Sequence, residues 1–119
     1  MLFRSLERWP EAIARLERLL VIDPHHIEGR FNLCQALRIN HRPKEALPHA
    51  RRAVELTREE NLDMLATLAQ THAELEQFAE AEATARTMLK LAAIRNPAML
   101  PEIRSRIAEW GKQSRKPGP

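Results

Sequence analysis

The sequence predicts an all-α fold, a solenoid of antiparallel helix pairs closed by an amphipathic C-terminal helix. Three observations predict it. First, helical patterning recurs: PEAIARLERLLVIDP (residues 10–24) returns as KEALPHARRAVELTR (residues 44–58) and as AEAEATARTMLKLAA (residues 79–93). Ala12 and Ala46 are 34 residues apart, and Ala46 and Ala81 are 35 apart. A period near 34 is that of stacked helix hairpins, in which each layer is stabilised mainly by its neighbours. Second, the 119 residues include only 3 Gly and no Tyr, and Val, Ile, Thr and aromatics are too scattered to build a sheet. Third, Pro10, Pro24, Pro43 and Pro97 and several capping residues stand at the ends of the periodic stretches, whereas Pro48 lies within one.

The elements follow in order. Residues 1–26 form a partial repeat. A stub over residues 2–8, with Phe3 and Leu6, reads as the last turn of a first helix. A second helix starts at Pro10 and carries the stripe Ala12, Leu16, Leu19, Leu20. With no complete partner before it, this end is expected to expose Ile13, Leu16 and Leu20, to be covered by another subunit or by further repeats. Asp23-Pro24 ends the unit, because a residue before proline is pushed out of the α region.

Residues 27–60 form a full repeat. Its first helix carries Phe31, Leu33, Cys34 and Leu37; its second starts at Pro43 and carries Ala46, Ala50, Ala53 and Val54. Pro48 lies about one turn inside that helix and removes a backbone hydrogen bond. Thr57-x-x-Glu60 has the form of a capping box for the next helix. Residues 61–95 repeat the plan with Leu65, Leu68, Ala69 and His72, then Ala81, Ala85, Met88 and Leu89. Leu33 aligns with Leu68, Cys34 with Ala69, and Ala36 with Thr71. The recurring alanine allows two helices to approach toward the short end of the ~8–10 Å interaxial range.

Residues 96–111 form the capping helix. Asn96-Pro97 opens it, Met99, Leu100, Ile103, Ile107 and Trp110 form its dry stripe, and Gly111 is expected to stop it. Residues 112–119 are expected to be a disordered basic tail.

Charge points the same way. Residues 1–111 hold 16 basic and 16 acidic side chains, so the net +3 comes from Lys112, Arg115 and Lys116. A neutral body does not suggest nucleic acid as a partner. No run approaches the ~20 apolar residues that span a bilayer, so membrane insertion is not expected. No signal-peptide pattern opens the chain, which makes a soluble, cytoplasmic protein the default. Cys34 is the single cysteine and reads as a small buried hydrophobe.

The residues now carry a family likeness. Leu68-Ala69, the recurring Ala12/Ala46/Ala81, Trp9 and Phe78 before second helices, and Asp23-Pro24 between units resemble the tetratricopeptide repeat (TPR) signature over residues 2–95. The departures are Arg30 where a large apolar residue is usual, His41 and Glu76 in place of the turn glycine, Arg58 near an expected proline, and one residue inserted between the second and third units. The resemblance implies a right-handed solenoid that holds a protein or peptide in the concave groove lined by first helices. By alignment that groove presents Glu28, Phe31, Asn32, Gln35, Arg38 and Ile39 from one unit. The next unit adds Asp63, Ala66, Thr67, Gln70 and Glu74. Phe31 and Ile39 are the expected apolar contacts and Arg38 the carboxylate partner. Asn32 falls where the asparagine of the family's carboxylate clamp would stand, but Asp63 and Thr67 replace its cations, so that clamp is not expected.

No catalytic pattern competes. His25, His26, His41, His49 and His72 lack metal-ligand spacing, and no nucleophile elbow or phosphate loop is present. No cofactor or metal is expected. Glu74, Glu76, Glu80 and Glu82 read as solvated charge. Two functions follow: a non-catalytic interaction scaffold, or an assembly module that dimerises or continues a longer array through Ile13, Leu16 and Leu20.

Overall fold

A computed structural model describes residues 2–117, with side chains described over residues 9–117. Six α-helices follow one another: α1 (Leu2–Ile22), α2 (Ile27–Ile39), α3 (Pro43–Leu56), α4 (Leu62–Glu74), α5 (Phe78–Arg95) and α6 (Leu100–Ser114). A 3-10 turn, Pro97–Met99, leads into α6. Every described element is helical, and each helix packs against its neighbours in the chain. None is long and apolar enough to cross a membrane.

The two central helix pairs repeat in backbone detail. α2 and α4 both have 13 residues, and α3 and α5 start 35 residues apart, at Pro43 and Phe78. Each first helix is capped in the same way. His26 Nδ1 accepts from the Gly29 N–H at 2.8 Å, and Asn61 Oδ1 accepts from the Met64 N–H at 3.1 Å. Each satisfies one of the helix's orphan N–H groups. Each first helix also ends alike. The N–H of His41 donates to Arg38 O and that of Arg42 to Leu37 O; Glu76 and Gln77 donate to Ala73 O and His72 O. This paired arrangement needs a left-handed residue just past the helix, and His41 and Glu76 both stand at φ 59°. The glycine-less turns are therefore formed at a backbone cost that glycine would avoid.

The junction between the pairs absorbs the inserted residue by doubling this feature. Arg58 (φ 55°) and Glu59 (φ 58°) are both left-handed, and their N–H groups reach Glu55 O and Val54 O. The Thr57 hydroxyl donates back to Ala53 O at 2.8 Å, so it closes α3 rather than boxing α4. The expected capping box over Thr57 and Glu60 is thus replaced by Asn61. The Glu60 carbonyl instead accepts from Arg95, which ties the end of α5 to this junction.

The core runs through all six helices. Ala46 and Ala81 are both 0% exposed at the seams of their pairs, whereas Ala12 is only half-buried. Three expectations at the ends of the chain are corrected. Pro10 does not start a helix: α1 is continuous across it, with no turn after a stub. The side chains of Phe3 and Leu6 lie outside the described residues. Ile13 (3% exposed) and Leu20 (9%) are buried and Leu16 is half-buried, because α2 packs on α1. Gly111 does not stop the last helix, which continues to Ser114, so Lys112, Gln113 and Ser114 are helical rather than tail. Gly111 is buried against the Glu82 side chain of α5, where an added Cβ would come 2.9 Å from the movable carboxylate end.

Candidate functional site

A cavity of about 270 Å³ opens between α4 and α6, with α5 contributing Ala85 and Met88 to its lining. Its origin is local. Ala66 and Ala69 on α4 and Ala85 on α5 are too short to fill the space that faces α6. Met88 from α5 and Ile103 and Trp110 from α6 make the rest of an apolar lining, and Met99 of the 3-10 turn joins it. Thr67 and Gln70 supply polar groups, and Arg38, Arg106 and Glu102 supply the charges.

Both arginines are held in place. Arg38 Nε donates to Glu74 Oε1 at 2.8 Å and its Nη1 to Gln35 Oε1 at 2.6 Å. Arg106 Nη1 donates to Gln70 Oε1 at 2.9 Å, while its Nη2 lies 3.5 Å from Glu102 Oε1. The Arg106 guanidinium also sits 5.7 Å from the Trp110 ring centroid, a cation–π distance. Arg38–Glu74 joins α2 to α4, and Arg106–Gln70 joins α6 to α4. Both bridges span 36 residues of sequence.

Of the residues expected to form a groove, Arg38, Ala66, Thr67 and Gln70 meet at this cavity, and Gln35 and Glu74 adjoin it through Arg38. Glu28, Asn32, Asp63 and Ile39 are exposed and do not line it. Phe31 is half-buried and packs against the core, so it is not the apolar contact of this cavity. Met88 reads as part of a second-helix core stripe, and Met99, Glu102, Ile103, Arg106 and Trp110 lie on a last helix that reads as a cap, so the sequence marks none of them as a site residue. The Arg106–Trp110 spacing of four residues was the available signal.

A second polar cluster lies at α1, α2 and α3. Arg30 Nη1 donates to His49 Nδ1 at 3.1 Å and its Nη2 to Pro24 O at 2.8 Å, while its buried Nε has no partner. Burial and then the Arg30 charge lower the His49 pKa, against an opposing pull from Glu17. Burial and nearby Arg52 lower that of Arg30. Cys34 is 0% exposed, and burial pushes its thiol up to about 11, with the Arg38 charge and a hydrogen bond involving Thr71 working against the rise. It is therefore a protonated thiol at neutral pH. His72, also buried, is joined to Gln77 Oε1 by Nδ1 at 2.8 Å.

Neither protein-family models nor curated proteins give a match to this chain.

Proposed function

We propose that the chain is a non-catalytic TPR-type interaction scaffold, a right-handed solenoid that holds a segment of a partner protein against α2, α4 and α6. The observation that carries this reading is the cavity itself. It is apolar in its depth, charged at its rim, and lined by Arg38, Ala66, Thr67 and Gln70, which the repeat register had assigned to the groove. The matched caps and left-handed turns 35 residues apart support the repeat architecture. An apolar lining with a few placed polar groups is the usual design of a ligand site.

The assembly-module alternative was argued from exposed Ile13, Leu16 and Leu20. Two of these are buried within the chain and the third is half-buried, which removes its premise. Affinity capture with the intact chain and with an Arg38→Ala/Gln70→Ala variant, read by mass spectrometry, tests the scaffold reading. A partner enriched by the first and lost with the second is expected. Partners retained equally by both would contradict a site at this cavity.

A further inference from the structure

We infer that the cavity takes an internal acidic–apolar segment of the partner: one bulky apolar side chain fills it, and a neighbouring side-chain carboxylate meets Arg106 and Arg38. The inference rests on the scaffold reading and adds the chemistry of the partner.

Volume sets the anchor. A cavity of about 150 Å³ accommodates benzene. One of about 270 Å³ therefore holds a single aromatic or large aliphatic side chain and the backbone next to it, not a whole helix. The lining offers methionine, isoleucine, tryptophan and alanine, which suit such a group.

Charge sets the neighbour. The lining carries two guanidiniums and one carboxylate. Arginine has five N–H donors, and Arg106 commits two, one of them at the long distance of 3.5 Å to exposed Glu102. An exposed i,i+4 pair of that length contributes little and is readily exchanged for a ligand carboxylate. Gln70 and the face of Trp110 keep the Arg106 fork oriented, so less freedom is lost when a carboxylate binds. Arg38, its side chain 17% exposed, is held by Glu74 at two points and by Gln35, so its charge is already paired and it offers the rim a fixed set of remaining N–H donors. Glu74 lies outside the lining.

The segment is internal because the cavity is open-ended. Glu102, Arg106 and Trp110 also border a shallow depression that continues along α6 past Ser105 and Glu109. A chain can run through the site rather than end in it.

Fluorescence anisotropy with four labelled heptapeptides tests this. The first is Gly-Ser-Asp-Phe-Asp-Ser-Gly with an amidated end. The second carries Asn for both Asp, and the third Ala for Phe. The fourth ends in a free carboxylate directly after Phe and has no Asp. The first is expected to bind the full chain about tenfold more tightly than the others, one power of ten in affinity for each lost interaction. Arg106→Gln should weaken the first peptide about tenfold and leave the second unchanged. Arg106 is exposed, so this variant keeps the fold, which circular dichroism verifies. Arg51→Gln, at an exposed position of α3 away from the cavity, should change nothing. Equal binding of the first and second peptides would overturn the carboxylate preference while leaving a groove. Tighter binding of the fourth would overturn the internal placement. No binding of the first peptide to the folded chain would overturn the inference outright, whereas the scaffold reading would fall only with the capture experiment.

Discussion

The pairs α2–α3 and α4–α5 share a backbone plan but satisfy it with different side chains. Leu37 is buried at 3% exposure in the first pair, and His72, its counterpart 35 residues on, is buried at 4%. The imidazole is tolerated because Gln77 follows five residues later to meet its Nδ1; the first pair has Arg42 at that place. Ala36 likewise becomes fully buried Thr71, whose hydroxyl donates to Thr67 O at 2.6 Å. Conversely, His49 of the first pair corresponds to Thr84 of the second, so the Arg30–His49 contact has no counterpart. Small side chains at seams and a left-handed turn residue define the unit. A polar residue replaces an apolar one where a local partner satisfies it.

Single substitutions sharpen this comparison. The largest effect is expected at Leu33, 1% exposed, against its counterpart Leu68 at 9%. Leu33→Ala should cost about 2–5 kcal/mol, and Leu68→Ala less, as read by denaturant unfolding. Next come the seams. Ala46→Leu and Ala81→Leu should each cost about 1–3 kcal/mol by overpacking, whereas Ala12→Leu at the half-buried position should lower the melting temperature much less.

A pH effect is expected from the Arg30–His49 contact of the first pair. Neutral His49 accepts from Arg30, and protonation would set two cations against each other. Its folded pKa lies below the ordinary value of about 6.5. Above that pH both folded and unfolded chains are neutral there. As pH falls through it, the unfolded chain takes up the proton first, so stability declines until the folded value is passed. The decline in melting temperature should be absent in His49→Gln and unaltered in Thr84→Ala. The smallest effect is a gain: His41→Gly and Glu76→Gly should each stabilise by about 0.5–1 kcal/mol, relieving the left-handed strain. Equal gains would support equivalent turns.

Much of the helix plan was legible because it recurs. Two sightings of Glu-Ala 35 residues apart outweigh any single propensity, and the α3 and α5 starts reflect that. The helix ends were less legible. Thr57 and Asn61 are both acceptable caps, and the choice depended on Thr57 turning back to close α3. Pro10 suggested a helix start, yet α1 continues through it. Gly111 suggests an end, yet α6 continues through it to Ser114. For the candidate site, the register put Arg38, Thr67 and Gln70 on one face, and all three line the cavity. It could not show that α6 supplies Arg106 and Trp110, because that helix has no copy in the sequence to align with. Nor could it show that Phe31 turns toward the core.

Tryptophan emission offers the most direct test of the central claim, that partner segments bind between α4 and α6. In a Trp9→Phe variant, Trp110 is the remaining indole and lines the cavity. Titration with a captured partner's binding segment should shift or quench its emission with the same midpoint as binding measured by anisotropy. Saturable binding that leaves Trp110 emission unchanged would place the site elsewhere and contradict the account.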